Sequence, residues 1–235
     1  MREAVIVSAA RTPIGKAYRG AYNNTAAPTL ASYSIKEAVS RAGIDPGEVD
    51  DIVMGCAQQQ GSQALNIGRL GGIAAGLPNT VSGMTIDRQC SSGMMAIATA
   101  SKQIITDNMD TVVAGGVESI SLVQTAEIRL DIDTNVTENA QHAYMPMIET
   151  ADNVAEKYNV SREDQDEYSL QSQQRTAAAQ ESGIYADEVI STTTTKLVKD
   201  KESGEISEEE VTLEKDEGNR PETNLEGLSS LLPVY

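Results

Sequence analysis

Apolar and polar positions change period several times along the chain. Residues 4–8 form a short continuous apolar run suited to a buried strand, and Arg11-Thr-Pro-Ile-Gly15 ends it with proline and glycine. Residues 29–42 set Leu30, Tyr33, Ala38 and Val39 among polar neighbours, with Gly43 as a stop, which predicts an amphipathic helix. Residues 45–49 read as a turn, Asp51-Ile-Val-Met-Gly55 as a strand, and residues 66–75 as a second helix. Residues 80–86 are β-compatible. Met94, Met95, Ile97, Ala98, Ile104 and Ile105 then recur at helical spacing towards Asn108, and a further strand follows at 111–114. Strands alternating with helices over the first 120 residues predict an α/β fold, a mostly parallel sheet in a layered arrangement with helices on both faces. Ligands of such sheets gather at the carboxyl ends of the strands.

After Gly116 the pattern lapses. Residues 117–147 are polar without a sustained period and read as an inserted loop region. Helices resume over residues 150–158 and again from Ser161-Arg-Glu-Asp, a start resembling a capping box, to about Glu181. Residues 190–198 and 206–213 flank a charged tip and predict a β-hairpin, with Glu208, Glu209 and Glu210 on a solvated face or edge. The expected organisation is an N-terminal α/β domain over residues 1–116 and a loop domain over residues 117–235.

Composition narrows this further. With no Phe and no Trp, the core of the 235-residue chain is built from Ala, Val, Ile, Leu and Met, which favours layered α/β packing over an aromatic-rich sandwich. A formal charge of −17 argues against a broad basic surface for nucleic acid. Two cysteines do not make a disulfide framework, and no apolar run approaches the roughly 20 residues needed to span a bilayer. The N-terminus reads as a first strand, not a signal peptide, so a cytoplasmic location is expected.

Candidate chemistry centres on Cys90, between the 80–86 strand and the following helix. Free N–H groups at a helix start favour a thiolate there, and Ser91, Ser92 and Gly93 are small enough to admit a substrate. The alternative is a buried cysteine acting as a small hydrophobe. The single histidine, His142, is the one intrinsic candidate base, although a lone histidine in a polar loop is more often a surface residue. No zinc-ligand pattern is present, and Gly71-Gly72 and Gly115-Gly116 match no nucleotide-binding motif.

Several motifs in order, Val7-Ser-Ala-Ala-Arg-Thr-Pro-Ile-Gly15, Asp87-Arg-Gln-Cys-Ser-Ser-Gly93, Ala114-Gly-Gly-Val-Glu-Ser119, Met147-Ile-Glu-Thr-Ala-Asp-Asn-Val-Ala155 and the run 161–175, resemble those of the thiolases. The resemblance is to the 3-ketoacyl-CoA thiolase and acetyl-CoA acetyltransferase group. It implies an acyl-CoA C-acyltransferase working by Claisen-type transfer through a thioester on Cys90, whose backbone N–H serves the oxyanion hole. Coenzyme A enters as substrate or product, with no further cofactor and no metal. The resemblance also places Arg220 near the CoA nucleotide, where a guanidinium suits phosphate, and likens Arg69 to an arginine near a dimer interface. The family's CoA-contacting histidine lies closer to the Met147 motif than His142 does, so that role is not carried over.

Thiolases continue well past the point where this chain stops, and the later half contributes a strand closing the first sheet, a Gly-His-Pro histidine, a second cysteine and an asparagine. The chain is therefore expected to be the N-terminal part of a thiolase, acting as a homo-oligomer or with a C-terminal thiolase segment. A noncatalytic CoA-binding or assembly subunit, or a truncated inactive fragment, is the alternative, and a cysteine hydrolase using His142 is a third.

Overall fold

The structure, a computed structural model, describes residues 2–127 and 131–234. It divides into two compact units, Met1–Glu127 with Tyr185–Gly218, and Ile128–Ile184 with Asn219–Tyr235. The hairpin and residues 117–127, read from sequence as loop domain, are grouped with the first unit.

The first unit is built on a three-stranded parallel sheet in the order β2-β1-β3, with β1 at Asp51–Gly55, β2 at Met84–Ile86 and β3 at Val112–Gly116. Every residue of β1 is buried, and its alternate side chains serve two cores. Ile52 and Met54 join Ala27, Ala31, Ile35 and Val39 of helix α1 (Ala27–Ala42) and Ile67 of helix α2 (Ile67–Ala74). Val53 points the other way, against Ala96 and Ala100 of helix α3 (Ser92–Thr106). A strand covered on both faces needs apolar side chains at successive positions, which is why Ile52-Val53-Met54 shows no polar alternation.

The helices end where the sequence indicates. Gly43 closes α1 in the left-handed conformation at φ 68°. The Asn66 side chain accepts the Arg69 N–H at 3.1 Å and caps α2. A short helix α4, Ile120–Val123, lies inside the stretch read as aperiodic. Strands β4 (Thr192–Lys199) and β5 (Ile206–Leu213) pair antiparallel. They are held within the first unit by Tyr33 Oη donating to the Thr193 carbonyl (3.0 Å) and the Leu197 N–H donating to Asn23 Oδ1 (2.9 Å).

Residues 4–8 depart from expectation, for they form no strand, and Val5, Ile6 and Val7 are 72, 78 and 74 % exposed. Ser8 Oγ donates to the Ala38 carbonyl at 2.7 Å and Arg41 donates to the Ala9 carbonyl at 2.8 Å, so the run is moored alongside α1 instead of paired in the sheet. A cavity of about 900 Å³ separates it from β3, lined also by Leu30 and Ile35 of α1 and Ile97 and Ile104 of α3. The β-region before Cys90 is also shorter than read. Only Met84–Ile86 is strand, because Val81 turns back to donate to the Pro78 carbonyl at 3.1 Å.

The second unit holds α5 (Thr134–Asn139), α6 (Met147–Tyr158), α7 (Arg162–Glu181) and α8 (Leu225–Ser229). Ser161 and Asp164 form the expected capping box at the start of α7. The 219–220 segment is stapled to α7 by Gln173, whose Oε1 accepts from Asn219 Nδ2 (3.0 Å) and from the Arg220 N–H (2.7 Å). Among the described residues, no helix is long and apolar enough to cross a membrane.

Candidate active site

The sheet delivers Cys90 to its carboxyl end. β2 stops at Ile86, the Asp87 carboxylate accepts the Gln89 N–H at 2.8 Å, and Gln89 takes φ 48°, a left-handed conformation unusual for a side chain of that size. Tight turns follow, with the Ser91 N–H donating to the Arg88 carbonyl and the Ser92 N–H to that of Gln89. Cys90 therefore stands on a sharp elbow, two residues before α3 begins, and is exposed. The buried Ser92 side chain braces the elbow from inside, accepting the Arg88 N–H at 2.9 Å and donating to the Gln89 carbonyl at 2.6 Å.

What seats this elbow is the closeness of α3 to the strand ends. A Cβ on Gly55 would lie 2.3 Å from the Ser92 carbonyl carbon, and one on Gly116 would lie 3.2 Å from Gly93 Cα. Only glycine at the last position of β1 lets the first turn of α3 settle there.

The two thiols differ sharply. Cys56 is buried, and burial, the Glu118 charge and a hydrogen bond to Glu118 push its thiol up to about 12. Cys56 is an inert small hydrophobe, whereas Cys90, for which the sequence left a buried alternative open, is the accessible one.

The other candidates belong to the second unit or serve structure. Arg69 braces the segment before β2, donating to the carbonyls of Val81 and Asn79, the latter at 3.0 Å. His142 belongs to the second unit, is exposed, and its side chain makes no hydrogen bond among the described residues. Arg220 is also in the second unit. Its backbone is fixed by Gln173, while its guanidinium reaches no carboxylate among the described residues.

Sequence reasoning missed the role of Glu118, although the residue stood within a quoted motif. Its carboxylate accepts the N–H groups of Ala57 (3.0 Å) and Gln58 (3.2 Å) and the Gln63 side-chain N–H. The available signal was a glutamate two residues beyond β3 and, about sixty residues earlier, the glutamine-rich loop Gln58-Gln-Gln60 beyond β1, with no cation beside either.

The sequence profile described as "Thiolase, N-terminal domain" matches residues 4–235. The chain belongs to the thiolase family. Among curated thiolases, the 3-ketoacyl-CoA thiolase of Bacillus subtilis (strain 168) is 40% identical over 237 residues, an alignment covering 100% of this chain and 60% of that protein. The peroxisomal 3-ketoacyl-CoA thiolase B of Mus musculus is 36% identical, covering 99% of this chain and 54% of that one. The crystal structure of the Bacillus anthracis acetyl-CoA acetyltransferase superposes with a TM-score of 0.81 at 36% identity, covering 100% of this chain and 59% of that chain. The chain thus spans about 60% of the length of the thiolases it matches.

Proposed function

We propose that this chain contributes the nucleophile of an acyl-CoA C-acyltransferase that moves an acyl group between acyl-CoA or 3-ketoacyl-CoA and CoA. The Cys90 thiolate attacks the thioester carbonyl of acyl-CoA, or the 3-keto carbonyl of 3-ketoacyl-CoA, and a C–S bond forms as the electron pair moves to oxygen. Collapse of the tetrahedral adduct breaks the C–S bond to CoA in the first case and the C2–C3 bond in the second, expelling CoA thiolate or the acetyl-CoA enolate, which takes up a proton, and leaves a thioester on Cys90. Attack by the second substrate reverses these steps and frees Cys90. The observation carrying this reading is the exposed thiol on the strained Gln89-Cys90 elbow at the carboxyl end of a parallel sheet. The Cys90 N–H belongs to the oxyanion hole.

Arg220 binds the CoA nucleotide, residues 117–235 cover CoA, and the enzyme works in the cytoplasm as a homo-oligomer. The proton-transferring groups come from polypeptide matching the rest of the relatives' length, and a strand of that polypeptide fills the cavity between residues 4–8 and β3. Backbone pairing along the edge of β3 that meets no strand among the described residues, and apolar burial in the cavity, both favour a strand there.

The test is reconstitution with a C-terminal thiolase polypeptide, followed by thiolysis of acetoacetyl-CoA and mass spectrometry of the acylated chain. Thiolysis should appear, with the acyl group on Cys90, and Cys90→Ser should reduce it on the order of a thousandfold. Thiolysis indifferent to Cys90→Ser would sink the mechanism. CoA binding with no acyl-enzyme would favour a noncatalytic subunit.

A further inference from the structure

Glu118 is a carboxylate held among donors with no cationic partner among the described residues. Oε2 accepts the Ala57 N–H at 3.0 Å, and Oε1 accepts the Gln58 N–H at 3.2 Å together with the Gln63 Nε2–H. Gln63 is fully buried and accepts the Ser119 N–H through its own Oε1, while Ser119 Oγ donates to the Thr25 carbonyl at 2.8 Å. The network thus joins the segments that continue β1 and β3 beyond the sheet. A carboxylate suits this position because it offers acceptors only, and every neighbour named presents an N–H.

The same two strand ends seat the Cys90 elbow. One peptide before Ala57, the Cys56 N–H donates to the carbonyl of Ile86, the residue from which the elbow departs, at 3.0 Å. One residue before Glu118, the Val117 N–H donates to the Gly55 carbonyl at 3.0 Å, and Gly55 and Gly116 carry the first turn of α3. Loosening the bolt between the two continuations frees the Cys56–Ile86 and Val117–Gly55 contacts together, and the elbow moves with them.

We propose that Glu118 is a positioning residue for the nucleophile, acting through the Ala57 and Gln58 amides on the strand ends that seat Cys90. This rests on the reading of Cys90 as the acyl carrier, but its test is separate from acyl transfer. Glu118→Gln is nearly isosteric and places an NH₂ against either the Ala57 N–H or the Gln58 and Gln63 donors, so one side of the network faces donor to donor.

The experiment is site-resolved alkylation of Cys90 by iodoacetamide, followed by mass spectrometry, on wild type and Glu118→Gln in the native and the urea-unfolded state, with thermal unfolding in parallel. A displaced elbow presents the exposed Cys90 thiol differently to the reagent. The expected result is a severalfold change in the native-state alkylation rate of Cys90, with the two unfolded chains alkylated alike. A native-state rate that stays at the wild-type value while the melting temperature falls assigns Glu118 a structural role only and overturns the proposal. If Glu118→Gln does not fold, Gln63→Met removes one donor from the same carboxylate and is judged by the same outcomes. Failure of Cys90 to carry an acyl group in the reconstituted enzyme would dispose of the mechanism while leaving this alkylation result readable.

Discussion

Replacing Gly55 with alanine tests the contact that seats the nucleophile. The added Cβ would stand 2.3 Å from the Ser92 carbonyl carbon and 2.5 Å from both the Ser92 oxygen and the Gly93 nitrogen. These are backbone atoms in the first turn of a helix, and no side-chain rotation relieves them. Ordinary contact begins at 3.4 Å, so 3.4 − 2.3 leaves about 1.1 Å to be made up by moving α3 off the sheet. Overpacking of this kind costs about 1–3 kcal/mol. For a chain of this length, that is a fall of roughly 2–12 °C in melting temperature followed by far-UV circular dichroism. Gly93→Ala supplies the control within the same contact. A Cβ there meets nothing nearer than 3.7 Å, and alanine in a helix is favoured over glycine by up to about 1 kcal/mol. Adjacent glycines on the two sides of one interface should therefore respond with opposite sign. Gly55→Ala melting at or above wild type, or Gly93→Ala proving the worse of the pair, would refute the close approach.

The two thiols should separate cleanly at pH 7–8, with iodoacetamide labelling Cys90 and sparing Cys56 until the chain is unfolded; equal labelling in the native protein would contradict the burial of Cys56. The same residue predicts alkaline weakening. Its folded value of about 12 lies above its ordinary 9.0, so the folded state holds the proton more tightly, and its contribution to stability is complete below pH 9 and declines from there towards pH 12. Cys56→Ala should flatten that part of the pH–stability curve measured by urea unfolding. At the acid end, burial of Asp216 opposes ionisation, but the Arg11 guanidinium and the Ile14 N–H outweigh it and hold the carboxyl below its ordinary 3.8. The contribution of this group is present above about pH 4 and lost as pH falls through the depressed value. Asp216→Asn should cost about 1–2 kcal/mol at neutral pH, since the pair is only partly shielded and Glu188 still holds Arg11, and urea unfolding with no loss would contradict the clamp.

Elements whose partners lie nearby in the chain were legible from their own residues. The α1 stripe with Gly43, the Ser161 capping box and the hairpin around residues 200–205 all carry local signals, and each forms close to where it was read. The exposed thiol at a strand-to-helix turn was legible in the same way, because Asp87-Arg-Gln-Cys-Ser-Ser-Gly93 encodes its own turn. What did not show was chemistry made by distant segments. Glu118 meets Ala57 and Gln58 across about sixty residues, and Asp216 meets Arg11 across about two hundred. Neither pairing leaves a periodic trace, since periodicity records which face is buried and not which polar group waits on the other side.

The run 4–8 shows what an apolar pattern does and does not specify. Its composition demands burial, yet Val5, Ile6 and Val7 remain exposed beside a cavity of about 900 Å³ whose opposite wall is the edge of β3 that pairs with no strand among the described residues. Burying three such side chains is worth roughly 1.5–3 kcal/mol each. A run moored to α1 by Ser8 and Arg41, with these side chains left exposed, keeps that free energy available to whatever enters the cavity. A strand between residues 4–8 and β3 would bury both walls and supply hydrogen bonds to that edge. In that arrangement the strand that completes the core would also join the sheet whose carboxyl end bears Cys90. Folding of the sheet and assembly of the reactive centre would then be one event.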